Sequence, residues 1–264
     1  MTDKTIKPSA PPADPVSASR QSLKMPPRKR FYERVDVAPE GDLFAVTLDG
    51  RPMLTPAKVR LAVPTRAAAE AVAAEWRAQT ADLDPLTMPM TRIVNVALDG
   101  VRANMDAVAA EIVKYAGNDL VCYRAAAPET LVQAQAEAWD PILAFAAADI
   151  NARFLCSEGI VHVAQPESAL EAVAAKVKRL IDIGAGAPIA LACLNVMTTL
   201  TGSALIPIAR VSGALSLEDA WRAAHVDEDF QMRLWGADSE AVDRRARRFA
   251  EMTAADRLWQ LVHG

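Results

Sequence analysis

Residues for metal or redox chemistry are scarce in this chain and scattered. Its three histidines, His162, His225 and His263, never fall into HxxxH or HxH spacing, and its three cysteines, Cys122, Cys156 and Cys193, form no CxxC pair. A zinc centre needs several such ligands brought close by short spacings, so no metal site is expected. Each cysteine sits among apolar neighbours and reads as a small buried core residue in a reducing compartment. The sequence also lacks GxGxxG, GK[ST], GxSxG and HExxH patterns, and GAGAP at 184–188 matches a phosphate loop only loosely, so it reads as a connector between helices. There is no excess of positive charge: 29 basic residues face 33 acidic ones, for a net charge of -4. Nothing in that balance holds a polyanion, and neither nucleic acid nor a cofactor is expected.

Charge is missing altogether from Gly184 through Ala209, a stretch long enough to cross a membrane. Asn195, Thr198, Thr199, Thr201, Gly202, Ser203 and Pro207 interrupt it, and no aromatic belt or lysine/arginine asymmetry flanks it. It therefore reads as a buried core helix, in two pieces meeting near Gly202, without stable membrane insertion. The proline-rich first residues lack the apolar core of a secretory signal and carry Asp3 and Asp14, unlike a transit peptide, so residues 1–27 read as a disordered tail.

What remains is ample: 264 residues, 52% of them hydrophobic, can bury a substantial core. FYERVDV alternates with period two, placing Phe31, Val35 and Val37 on one face, and LFAVTL runs into Asp49-Gly50, a two-residue hairpin turn that favours positive φ at both positions. RPML returns, TPAK turns again, and VRLAV completes an antiparallel meander over 30–63. Thr65 then caps an alanine-rich helix. Helical spacing recurs in 101–117, in 131–150, where Pro141 either kinks the helix or opens a second one, in 170–181 and in 217–235, and a last helix begins at Asp238. The expected class is α+β: a small N-terminal β-rich domain with one helix over 28–88, then a larger, mostly α-helical domain over 89–264.

AWRAAHVDEDFQMRLWG, residues 220–236, gathers a histidine and three acids. Taken as one helix from Ser216 to Gly236, it places Leu217, Trp221, Ala224, Glu228, Met232 and Trp235 on one stripe at about 100° per residue. Asp229 falls near Arg222 and Arg233, and Asp227 points elsewhere, so the three carboxylates cannot converge on one ion or one substrate. Glu228 alone is out of place. Either it is buried and satisfied by a partner, or the stripe is open and the carboxylate faces another molecule. The arginines at 244, 245, 247 and 248 spread around their helix and read as a solvated, ion-paired face. Aromatic residues make up only 5% of the chain, so its five tryptophans stand out as packing or interface anchors.

Five separated motifs, RKRFY (28–32), LDGRPMLTP (48–56), AVAAEW (71–76), CYRAAAPETLVQAQAEAWDP (122–141) and VDEDFQMRLWG (226–236), resemble the ATP synthase assembly chaperone family of mitochondria and α-proteobacteria. The resemblance implies a non-enzymatic, cofactor-free protein that holds the unassembled α subunit of the catalytic head until the β subunit replaces it. Composition suits a bacterial member, hence a cytoplasmic one, and a monomer is the starting assumption. The acidic run corresponds to Asp227, Glu228 and Asp229, which with Trp235 become expected partner-binding residues. Trp76, Trp139 and Trp221 become structural or interface anchors. The alternative is an enzyme of small substrates using Glu228 as a desolvated general base, which requires a deep pocket around it.

Overall fold

The structure, a computed structural model, describes residues 28–159, 161–236 and 238–264. The expected tail, 1–27, lies outside the described residues. Strand β1 (Arg28–Lys29) precedes the meander of β2 (Val35–Glu40), β3 (Leu43–Leu48), β4 (Arg51–Pro52) and β5 (Ala62–Val63). β3 is central: β2 pairs along its whole length, while β4 and β5 share its other edge, all antiparallel. The Asp49-Gly50 turn has φ of 50° and 79°, as its sequence requires. The alternation before it starts later than the pattern implies. Phe31 lies outside the strand and is 68% exposed, whereas Tyr32 and Val35 are buried.

Helix α1 (Arg66–Arg77) starts at Thr65, whose hydroxyl accepts from the Ala68 N–H and also donates to the Leu261 carbonyl at 2.6 Å. The N-terminal part is thus tied to the last helix. After β6 (Asp82–Leu83), which pairs with β1, come α2 (Pro89–Asp99), α3 (Met105–Gly117), β7 (Tyr123–Arg124) and α4 (Glu129–Phe145). Pro141 lies within α4, so one helix passes through it rather than two meeting there. A wider π turn, Ala146–Ile150, ends at Asn151 with φ 61°. Then follow β8 (Ser157–Glu158), α5 (Glu167–Leu180), α6 (Ala187–Thr201), α7 (Leu205–Val211), α8 (Leu217–Ala223), α9 (Val226–Trp235) and α10 (Ser239–His263).

The uncharged stretch forms α6 and α7, which meet at Gly202 with φ 66°, a conformation that costs an L side chain but not glycine. Helix α6 is the centre of the fold, packed by α2, α3 and α10, and 61% of the Gly184–Thr201 window is buried inside the protein. One hydrophobic cluster runs from Tyr32 and Val46 on the sheet through α1 and α6 to Val262 on α10. Cys122 and Cys193 are buried as expected; Cys156 is exposed, because it lies on the connector after the π turn rather than in an element.

At the start of α7 an acid does the capping. Asp119 is fully buried, and its carboxylate accepts from the N–H groups of Ala204 (2.8 Å), Leu205 (3.0 Å) and Val121 (3.3 Å). Glu75 similarly accepts from the N–H groups of Met90 and Thr91 at the start of α2. Both satisfy orphan donors of helix first turns from far away in sequence.

Candidate functional site

The segment 217–235 is two helices, which corrects the expectation of one. The chain leaves helical geometry at His225 (φ -127°, ψ 21°). In an unbroken helix the Ala223 carbonyl would accept from the Asp227 N–H, but the indole Nε1–H of Trp139 takes that carbonyl at 2.7 Å. Trp139 is completely buried on α4. His225 turns inward beside it, 2% exposed, with its ring 3.9 Å from that of Trp221 and its Nδ1–H donating to the Trp221 carbonyl at 2.8 Å. That bond leaves Nε2 facing Glu228 at 3.9 Å. Burial pushes the His225 pKa down, against the pull of the Trp221 carbonyl and of Glu228, so the ring is neutral in the fold.

The break rotates everything after it away from the stripe of Leu217 and Trp221. Glu228 therefore does not sit in an apolar stripe, and its side chain is 58% exposed. Its neighbours hold it there. Asp227 accepts from Gln135 Nε2 of α4 at 2.7 Å, and Asp229 pairs with Arg245 of α10 rather than with Arg222 or Arg233. The flanking acids lash α9 to a helix on either side, and the middle one is left facing solvent. At that exposure the carboxylate lacks the desolvation that a general base would need.

What surrounds α9 is open surface. A groove of about 700 Å³ between α4, α8 and α9 has Ala138, Pro141, Val226 and Met232 along it, with Arg222 and Arg233 among its charged residues. A second, of about 390 Å³ between α9 and α10, is lined by Glu228, Met232, Trp235, Arg244 and Arg248. At the end of α9, Trp235 is 84% exposed and Leu234 61%, with Val242 at 46% on the first turns of α10. The four arginines separate around the helix: Arg244 lies near Glu240, Arg245 pairs with Asp229 and Arg247 is exposed, while Arg248 departs from the expected ion-paired face by donating to the Leu200 carbonyl.

The other tryptophans face inward. Trp221 is 8% exposed against Phe249 and His225. Trp76 is half-buried, donates from Nε1 to Thr91 Oγ1 at 3.1 Å, and offers its carbonyl to the Tyr32 hydroxyl at 2.7 Å. Trp76 thus joins α1 to α2 and to the strand region. Trp76→Ala is expected to lower the unfolding free energy by about 2–4 kcal/mol, since it empties a partly buried site and removes the indole N–H bond to Thr91; chemical denaturation of the two proteins checks this. Gln135 is the residue that sequence reasoning misses. It is 2% exposed and its amide oxygen accepts from Ala125 N while its nitrogen holds Asp227. A buried glutamine in an alanine-rich helix was the only signal available for it.

The chain matches the family model described as ATP12 chaperone protein over residues 29–147. It is similar, at 42% identity and a TM-score of 0.85, to a protein from Agrobacterium tumefaciens described as a proposed chaperone, over 94% of this chain and 91% of that one. It is also similar to Atp12 from Paracoccus denitrificans, at 40% identity and a TM-score of 0.81, over 89% of this chain and 98% of that one. An aspartate-to-lysine mutant of the same Paracoccus protein matches at 39% identity, with a TM-score of 0.81 over 89% of this chain and 97% of that one.

Proposed function

Because the chain belongs to the ATP12 chaperone protein family, whose work is the assembly of ATP synthase, we propose that it binds the unassembled α subunit of the catalytic head through the end of α9. On this reading it keeps the α subunit from aggregating until the β subunit takes the same surface. The observation that carries the proposal is Trp235, 84% exposed beside Leu234 and the outward Glu228. A tryptophan that the fold does not bury is a natural anchor for another protein. An orphan subunit exposes an apolar interface, and a soluble partner with a mixed apolar and charged surface shields it. The shallow grooves beside α9 suit such a partner better than a small substrate. Asp227 and Asp229 contribute by fixing α9, and Glu228 by direct contact.

Two measurements test this. A tagged copy purified from its own cells is expected to bring down the ATP synthase α subunit in excess over β; equal recovery of both, or of neither, sinks the reading. Glu228→Lys and Trp235→Ala are each expected to weaken capture of isolated α subunit on the order of 30-fold, about 2 kcal/mol. Both positions are exposed, so thermal unfolding should change by no more than about 0.5 kcal/mol. Full capture by a folded Glu228→Lys variant would remove that residue from the interface.

A further inference from the structure

Cys122 and Cys156 are distant in sequence and adjacent in space. Cys122 immediately precedes β7, Cys156 immediately precedes β8, and the parallel register of these strands sets Tyr123 against Ser157 and Arg124 against Glu158. One residue before each strand, Cys122, which ends the 3₁₀ turn Leu120–Cys122, and Cys156 are brought side by side by that register. Neighbouring strands run about 4.8 Å apart, inside the range of about 4.4–6.8 Å between Cα atoms that a disulfide spans. The two thiols are near enough that Cys156 raises the Cys122 pKa, after burial and Asp119.

The pair is asymmetric in access. Cys122 is fully buried and Cys156 is exposed. The connector carrying Cys156 is also held in place: Gln165 accepts from the Leu155 N–H and donates to the Leu155 carbonyl, both at 2.8 Å. The partner thiol therefore stays within reach rather than swinging away. Cys193, buried within α6, has neither access nor a thiol neighbour of this kind.

The geometry points to a two-electron redox site in which Cys156 meets a hydroperoxide from solvent, Cys122 resolves it, and the two close as a reversible intramolecular disulfide. In the first step the Cys156 sulfur attacks one peroxide oxygen, the O–O bond breaks, and water leaves, with Cys156 oxidised to the sulfenic acid. In the second the Cys122 sulfur attacks the Cys156 sulfur, the S–S bond forms as the S–O bond breaks, and a second water departs with the Cys122 proton. Two thiols lose two electrons, and one hydrogen peroxide becomes two waters. Burial, together with nearby Asp119, holds the Cys122 thiol protonated until then, so attack begins at the exposed sulfur. Closure would pin the segment that carries Cys156 to the turn over Leu120–Cys122, directly after Asp119.

The test uses the reduced full-length protein, equimolar hydrogen peroxide, alkylation of remaining thiols and peptide mass mapping. The expected product is a Cys122–Cys156 linked peptide, reversed by dithiothreitol, with Cys193 still alkylated. Cys156→Ser should consume no peroxide, and Cys122→Ser should stop at a Cys156 sulfenic acid that dimedone traps. If the buried substitution prevents folding, the linked peptide in the wild-type protein decides alone. Over-oxidised Cys156 beside an alkylated Cys122, no reaction at all, or a link only between two chains overturns the proposal.

Discussion

Trp139→Ala is expected to lower the unfolding free energy by about 3–5 kcal/mol, the cost of emptying a fully buried aromatic site, with roughly 1 kcal/mol or more added for the carbonyl left behind. Trp139 is 0% exposed, and its indole N–H donates to the Ala223 carbonyl. Against a typical total of about 5–15 kcal/mol this approaches loss of the fold. A milder change separates packing from positioning. Trp139→Phe keeps most of the volume and drops the N–H, so it should cost only about 1–2 kcal/mol. It also frees the Ala223 carbonyl to accept from Asp227, which favours one continuous helix and turns Glu228 and Trp235 toward new directions. The expected result is a folded protein with weakened capture of the α subunit, read by denaturation and by binding of the isolated subunit. Unchanged capture by a folded Trp139→Phe would mean that the break at His225 has another cause.

That break marks where sequence reasoning stopped. Turns and caps were legible because their chemistry is local: Asp49-Gly50, the Thr65 cap, the stop at Gly202 and the start at Asp238 all stand where the residues imply. The acidic run could be located, and its failure to converge on one ion could be read from helical spacing. Its orientation could not. No glycine or proline interrupts 217–235, and the interruption comes from a tryptophan some eighty positions earlier in the chain. Asp119 and Gln135 were hidden for the same reason, since each satisfies groups from distant elements. The Cys122–Cys156 juxtaposition depends on the register of two strands of two residues each, too short for any periodicity to show.

The three acids of 227–229 illustrate how one short run serves two purposes. Two are tied to helices, Asp227 to α4 and Asp229 to α10, and such bonds fix a helix that has only Val226 buried. With so little apolar burial, α9 depends on those polar ties for its position. Glu228 and Trp235, which neither tie engages, are then presented on a positioned helix rather than on a loose one, which lowers the ordering cost of gripping another protein.

Asp119→Ala is expected to be as damaging as the loss of Trp139, by a different route. Three backbone N–H groups of a dry interior lose their acceptor, at about 1–2 kcal/mol each where neighbouring groups relax, for a total on the order of 3–6 kcal/mol. Asp119→Asn retains one oxygen but turns an amide N–H₂ toward donors, so it should fall between the wild type and alanine. The charge itself has a separate signature. Burial raises the Asp119 pKa from its ordinary 3.8 to about 6, opposed by the Ser203 hydroxyl and the backbone donors. Between those values the folded protein binds a proton that the unfolded chain has released, so stability falls as pH rises. The contribution is fully present below about pH 4 and is reduced by roughly 3 kcal/mol once pH passes 6. His225 works in the opposite sense, because its folded pKa is lowered and its contribution is lost as pH falls below 6.5. Subtracting the profile of Asp119→Asn from that of the wild type removes the histidine and leaves the aspartate. The stability advantage of the wild type over Asp119→Asn should shrink by a few kcal/mol from pH 4 to pH 7 in chemical denaturation. A difference that stays flat, or grows, would mean that the four donors outweigh burial and that Asp119 is ionised across the whole range.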